Sequence, residues 1–129
     1  METPPTALVM DDEIDLAWAV QQTLMLDGWR VVVAHTGAAA IALAATEPIR
    51  IAFVDAKLPD MDGLDVARRI VELRPAATMV LISGFYYSED QAVRETLRRG
   101  LFASFISKPF DLAEISALAQ RALAPSDSA

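Results

Sequence analysis

The sequence predicts an α/β fold in which a five-stranded parallel sheet lies between two layers of helices. Strand-like and helix-like segments alternate five times along the 129 residues. The strand-like segments are apolar throughout rather than at every second position, which is typical of strands buried on both faces of a parallel sheet. The length suits one domain. We expect that domain at 1–124, with its core at about 6–123, and a frayed tail at 125–129.

The predicted strands are short apolar runs, and most of them end at a polar residue. β-Branched residues, which favour extended structure, dominate the second run, Arg-Val-Val-Val-Ala. The predicted strands are Ala7–Met10, Arg30–Ala34, Ile51–Val54, Thr78–Ile82 and Ala103–Ile106.

The segments between the strands have helical spacing or residues typical of helix ends. Leu16, Val20 and Leu24 form one apolar row along the first helix, and Thr36 is placed to cap the second. A Ser or Asp followed three residues later by Gln or Glu opens each of the last two. The predicted helices are Glu13–Leu26, 37–46, Leu64–Leu73, Ser88–Arg99 and Asp111–Leu123.

Composition and charge exclude several classes of protein. A hydrophobic fraction of 53% with 22% charged residues indicates a folded domain. The net charge of −7 argues against nucleic acid as a direct ligand, because phosphate binding needs clustered Lys and Arg. The absence of Cys excludes disulfides, thiolate metal sites and a Cys nucleophile. The sequence contains neither a membrane-spanning run nor a signal-peptide pattern, so we expect a cytoplasmic protein without membrane contact.

Four of the predicted strands are followed by side chains that suit a chemical site. In an open parallel sheet, ligands bind beyond the carboxyl ends of the strands, so these side chains should meet at one edge. The second strand ends at Ala34 and His35 and offers nothing comparable, and we assign His35 only a structural or surface position. The candidate site residues are Asp11, Asp12, Asp55, Ser83 and Lys108.

Three carboxylates at one edge would repel one another unless a cation joins them. A hard cation such as Mg²⁺ suits carboxylate and carbonyl oxygens. Lys108 and Ser83 could contact the oxygens of a transferring phosphoryl group. Asp55 stands alone after the central strand and is the best placed nucleophile for an acyl phosphate. Taken singly, an acid at a strand end is more often a helix cap or a solvated loop residue. The prediction of a chemical site therefore depends on all these residues lying at one edge of the sheet.

Five segments of the chain form one pattern: Leu8–Glu13, Val54–Asp55, Leu58–Gly63, Ile82–Gly84 and Lys108–Phe110. In their order and spacing they resemble the receiver domains of two-component response regulators. The resemblance implies a flavodoxin-like doubly wound sheet with strand order 2-1-3-4-5. It also implies that Asp55 takes a phosphoryl group from a sensor histidine kinase or a phosphotransfer protein. The chain would then be no enzyme beyond its own phosphorylation and dephosphorylation.

The resemblance implies a specific set of Mg²⁺ ligands. Asp12, Asp55 and the main-chain carbonyl of Lys57 would bind the ion directly, and Asp11 would bind it through water. Lys57 departs from the usual pattern as a charged residue at a position that influences phosphate lifetime in the family. Its ammonium could pair with Glu13 or with phosphate, but we expect it to point to water.

The resemblance also implies a switch. Lys108 would contact the phosphoryl group, and its peptide bond to Pro109 would be cis. Ser83 would move toward the phosphoryl group while Phe105 changes rotamer. These movements would alter the surface formed by the helix at 88–99, the fifth strand and the last helix, where a downstream protein would bind. Phe105 stands where the family often has Tyr, so this switch cannot signal through a hydroxyl group.

The first predicted helix has a second apolar face. Ile14, Trp18 and Met25 lie on it, with Gln21 between them. One interpretation is that Trp18 packs over the neighbouring helix as an extension of the core. The other is a docking surface for the kinase, made by Ile14, Trp18 and Gln21, because exposed aromatic residues and Met are favoured at interfaces.

Other functions remain as alternatives. The first is a receiver-like interaction module that needs no phosphorylation, which the complete set of five site residues argues against. A haloacid-dehalogenase-type phosphatase would need a second acid two residues after its nucleophile, where this chain has Lys57. A flavodoxin-type flavin carrier would need a hydroxyl-rich phosphate loop where this chain has Asp11–Glu13. The oligomeric state stays open between a monomer and a homodimer.

Overall fold

Five parallel strands form the centre of the molecule. The computed structural model describes residues 3–83 and 100–123. The strands pair in the order β2-β1-β3-β4-β5, and every pairing is parallel. The predicted fold and strand order are therefore confirmed. The strands are β1 (Thr6–Met10), β2 (Arg30–Ala34), β3 (Ile49–Asp55), β4 (Thr78–Ser83) and β5 (Ser104–Ser107).

The helices of the described residues lie where the sequence predicts them, to within one residue at each end. The predicted helix Ser88–Arg99 lies outside the described residues, as does most of the segment that joins it to β4. The side chain of Thr36 accepts a hydrogen bond from the Ala39 N–H and caps the second helix, as predicted. No helix of 3–83 or 100–123 is long and apolar enough to cross a bilayer. The helices are α1 (Ile14–Leu26), α2 (Gly37–Thr46), α3 (Gly63–Leu73) and α4 (Leu112–Leu123).

Alternate residues of the central strands point into two separate cores. Leu8 and Val54 pack with α2 and α3 on one face of the sheet. Val9 and Phe53 pack with α1 and α4 on the other face, where the indole of Trp29 is also buried. Strands that must fill two cores have no polar face, which explains why their sequences are apolar throughout.

The third strand begins two residues earlier than the sequence predicts. Ile49 is buried and pairs with Thr6, whereas Ala7 pairs with Ile51, so the extra residue, Arg50, bulges out of the ladder. Arg50 is exposed and interrupts the apolar pattern, and for this reason the sequence places the strand start at Ile51.

The loop after β3 folds back tightly onto the strand at Gly63. The Gly63 N–H donates to the Ala56 carbonyl oxygen at 2.9 Å. A Cβ atom at Gly63 would lie 2.7 Å from the Cα of Ala56. This Cα is a main-chain atom of the loop that follows β3 and cannot move aside as a flexible side chain could. Glycine is required here by close approach rather than by an unusual backbone conformation.

We expect Gly63→Ala to lower the free energy of unfolding by about 1 to 3 kcal/mol, because the added methyl group overpacks the β3 backbone. Urea unfolding followed by circular dichroism measures the change. Gly28→Ala is the comparison for a loss with a different cause: its φ of 95° strains the substitution, but nothing lies within 4 Å of the added atom. A Gly63→Ala protein as stable as the wild type would show that the loop does not need this contact.

Candidate metal centre at the carboxyl edge of the sheet

Three carboxylates meet where β1 and β3 end side by side. Met10 and Val54 are paired in register, so the residues that follow them emerge at the same level. Asp11 and Asp55 are buried, whereas Asp12 is exposed. One carboxylate oxygen from each of the three residues lies within 4.8 Å of the others. The structure thus brings together the three acids that the sequence singles out.

Lys108 reaches into this cluster from the end of β5. Its Nζ lies 3.1 Å from Asp55 Oδ2, 3.2 Å from Asp11 Oδ2 and 3.4 Å from Glu13 Oε2. The Lys108 N–H donates to the Ser83 carbonyl oxygen at 2.7 Å, and the following peptide bond to Pro109 is cis, as the resemblance implies. One ammonium group therefore forms ion pairs with the carboxylates of Asp11, Glu13 and Asp55, so negative charge remains in excess.

The electrostatics of the cluster follow from burial and from this excess charge. Burial and, to a smaller extent, the charge of Asp55 raise the pKa of Asp11 to about 6, against the opposing effects of the Glu13 N–H and Lys108. Burial lowers the pKa of Lys108, but the carboxylates of Asp11 and Asp55 together outweigh it, so the pKa of Lys108 lies above its ordinary value. An added cation would relieve the remaining repulsion.

The donor set suits a hard divalent cation such as Mg²⁺. All three side chains offer carboxylate oxygens, which Mg²⁺ prefers over nitrogen and sulfur. The main chain of Lys57 is close, since its N–H donates to Asp55 Oδ1 at 3.0 Å. The Lys57 side chain is exposed, as expected for an ammonium that points to water. The residues present therefore fit the ion that the sequence predicts.

Ser83 and Phe105 lie on the two strands beside this cluster. Ser83 is the last residue of β4, is fully buried, and pairs in register with Ser107 of β5. Phe105 is half-buried and packs against the core on the α2 and α3 side of the sheet. Ser83 directly follows Ile82, which pairs with Asp55, whereas Phe105 pairs with Leu81 and lies one strand further from the acids. The movement of both residues stays a prediction.

Two contacts at this edge were not predicted from the sequence. His35 Nδ1 lies 2.9 Å from the carbonyl oxygen of Asp11. The Asp60 carboxylate accepts hydrogen bonds from the N–H groups of Gly37 and Ala38 at the start of α2, and these bonds hold its pKa below the usual value. Both contacts join loops more than twenty residues apart, so no local pattern signals them.

The second apolar face of α1 is open. Ile14 is 67% exposed and Trp18 is 60% exposed, while Gln21 is half-buried. The opposite face carries the predicted row, in which Val20 and Leu24 are buried and Leu16 is half-buried. Trp18 is therefore not an extension of the core.

The chain matches the family model of the response regulator receiver domain over residues 7–120. It is 35% identical to the probable transcriptional regulatory protein TcrX of Mycobacterium tuberculosis, in a match covering 87% of this chain and 47% of that protein. The chain thus spans less than half of this relative.

Two solved structures are also similar. The receiver domain of NtrX from Brucella abortus has a TM-score of 0.80 and 32% identity, covering 91% of this chain and 97% of that chain. A response regulator protein from Burkholderia pseudomallei, with a phosphorylated aspartic acid, calcium ion and citrate, has a TM-score of 0.78 and 25% identity, covering 88% of this chain and 65% of that chain.

The raised pKa of Asp11 leads to a stability prediction for the metal-free protein. Folding raises this pKa from 3.8 to about 6, so the folded state holds the proton more tightly than the unfolded chain does. The ionised carboxylate therefore costs stability above about pH 6, and the cost disappears below about pH 4. We expect Asp11→Asn, in EDTA, to raise the free energy of unfolding by about 1 to 3 kcal/mol at neutral pH and to have little effect at about pH 4.

Urea unfolding across this pH range measures the effect. Asp65→Asn is the control, because Asp65 is an exposed acid on α3 and should give no comparable pH-dependent gain. A loss of stability in Asp11→Asn at neutral pH would contradict the expected repulsion.

Proposed function

Because this chain belongs to the family of response regulator receiver domains, we propose that it is a signalling switch in which Asp55 accepts a phosphoryl group from a histidine kinase or phosphotransfer protein. Receiver domains are in general phosphoacceptors rather than enzymes. The observation that carries the proposal is the meeting of three carboxylates within 4.8 Å with a lysine that contacts Asp55 at 3.1 Å. Asp55 is the central residue of this arrangement.

The contacts of Asp55 suit a nucleophile. The Lys57 N–H holds Oδ1, and the Lys108 ammonium holds Oδ2. In the transfer, a carboxylate oxygen bonds to phosphorus while the bond from phosphorus to the histidine nitrogen breaks. The nitrogen keeps the electron pair, and the product is an acyl phosphate. Lys108 is placed to balance the charge of the phosphoryl oxygens once they arrive.

Asp11, Asp12, Asp55 and the Lys57 carbonyl are the proposed Mg²⁺ ligands. When bound, Mg²⁺ supplies positive charge to the phosphoryl oxygens and removes the repulsion among the acids. The Burkholderia relative, whose structure contains a phosphorylated aspartic acid and a calcium ion, supports phosphorylation of an aspartate in this chain as well.

The output of the switch is proposed to be a change of surface. Ser83 and Phe105 would respond to the phosphoryl group and alter the face that includes β5 and α4. A downstream protein would bind there. The mycobacterial relative is a probable transcriptional regulatory protein, which supports control of transcription as the process that this downstream protein serves. A cytoplasmic location without direct contact to nucleic acid or membrane completes the proposal.

We propose in addition that the phosphodonor docks on the open face of α1. Ile14 is the first residue of α1 and follows Asp12 by two positions, so this face borders the acid cluster. Its apolar, exposed residues Ile14 and Trp18, with Gln21, would contact the donor protein.

Incubation with a small phosphodonor and Mg²⁺, followed by intact mass measurement, tests the central proposal. The wild type should gain one phosphate, and Asp55→Asn should gain none. Asp65→Asn should behave as the wild type does, because Asp65 lies on the outer surface of α3. A wild type that gains no phosphate would favour an interaction module that works without phosphorylation.

Trp18→Ala should slow phosphotransfer from a histidine kinase that phosphorylates the wild type by about tenfold, as expected for a central aromatic interface residue. Its phosphorylation by a small phosphodonor should not change. Leu26→Ala is the matched control, since Leu26 is 89% exposed at the far end of α1. An unchanged rate with the kinase would exclude this docking surface.

A further inference from the structure

The backbone of Asp11 is held on both sides by the end of β2. The Asp11 N–H donates to the Ala34 carbonyl oxygen at 3.1 Å. The Asp11 carbonyl oxygen lies 2.9 Å from His35 Nδ1. A carbonyl oxygen can only accept, so Nδ1 must carry the hydrogen and donate it. Two consecutive residues of the second strand end thus fix both polar groups of the Asp11 main chain.

The hydrogen bond from His35 to the Asp11 carbonyl oxygen also bears on the position of the neighbouring Asp12 side chain. The Asp11 carbonyl belongs to the peptide unit that joins Asp11 to Asp12, and a peptide unit is rigid and planar. Fixing its oxygen fixes the rotation of the unit and therefore the point from which the Asp12 side chain departs. The Glu13 N–H holds Asp11 Oδ1 at 2.9 Å, so the side chain of Asp11 is fixed separately.

The same turn also holds the loop that follows β3. The N–H groups of Gly37 and Ala38 donate to the Asp60 carboxylate at 2.8 and 3.1 Å. Asp60 stands in the loop between β3 and α3, three residues after Lys57. The turn between β2 and α2 therefore contacts the loops that follow both acid-bearing strands, although it offers no carboxylate of its own.

We propose that this turn is a clamp for the metal centre and that His35 and Asp60 are its positioning residues. His35 sets the Asp11–Asp12 peptide unit, and Asp60 sets the loop that carries the Lys57 carbonyl. The inference rests on the proposed Mg²⁺ site. His35 is exposed and fills no core space, so its bond to Asp11 acts mainly on the local position of the acids. Such supporting hydrogen bonds commonly decide metal affinity.

Titration of the full chain with Mg²⁺ alone, by calorimetry, tests the clamp, and Mn²⁺ alone, followed by electron paramagnetic resonance of the free ion, gives a second reading. We expect His35→Ala, which loses one hydrogen bond, and Asp60→Ala, which loses two, each to weaken binding by about 3- to 10-fold, because these bonds act on the metal only through the position of its ligands. His35→Asn should restore the affinity, because its side-chain N–H can take the place of Nδ1–H. Unfolding curves fix a temperature at which every variant is folded.

Thr36→Ala is the matched control. Thr36 lies in the same turn and caps α2 through the Ala39 N–H, as Asp60 does through Gly37 and Ala38. Within residues 3–83 and 100–123, its side chain makes no hydrogen bond to either acid-bearing loop. Its loss should lower stability and leave Mg²⁺ affinity unchanged. An equal loss of affinity in Thr36→Ala would attribute the effect to helix capping and overturn the clamp.

The remaining outcomes separate the clamp from the metal site itself. If Mg²⁺ binding is lost in Asp12→Ala but unchanged in both His35→Ala and Asp60→Ala, only the clamp is overturned. A His35→Asn protein whose Mg²⁺ affinity is as low as that of His35→Ala would also overturn only the clamp. Wild-type binding that is absent, or that persists in Asp12→Ala, would overturn the proposed Mg²⁺ site together with the clamp.

Discussion

Repulsion among three carboxylates at one edge of the sheet is the constraint on which the rest of the site depends. Asp11 and Asp55 are buried, so water screens their charges poorly, and burial raises the pKa of Asp11 to about 6. Lys108 offsets part of this charge and is itself held by three acids. A protein that keeps such an arrangement sacrifices stability at a place where an added cation would recover it, which is a common relation between strain and function.

The parallel sheet makes this concentration of charge possible. All five described strands run in the same direction, so the residues that follow β1, β3 and β5 arrive at one edge. The two cores on either side hold the strands in place. Gly63 adds a tight contact behind the site, because the loop after β3 can lie against Ala56 only without a side chain. The acid cluster therefore follows strands that are packed on both faces of the sheet.

Much of the fold and of the site could be predicted from sequence because the signals were local. Continuous apolar strands indicated burial on both faces, and polar residues directly after them indicated the edge. The predicted start of β3 was wrong by two residues, because Arg50 is bulged and exposed and so interrupts the apolar pattern without ending the strand. His35 and Asp60 could not be assigned contacts, since their partners lie more than twenty residues away in the chain and are chosen by the folded arrangement of loops. The exposure of Trp18 also required the structure, because helical spacing alone fits both a packed and an open face.

The two tryptophans of the chain occupy opposite environments. Trp29 is buried in the core between the sheet and the α1 and α4 layer, whereas Trp18 is mostly open to solvent on the outer face of α1. Indole emission depends on the polarity around the ring, so the chain carries two separate optical reporters. Replacing Trp18 leaves a signal that follows unfolding of the core, and replacing Trp29 by Phe leaves one that follows events on the surface of α1. A binding event and a loss of structure can thus be distinguished in the same protein without an attached dye.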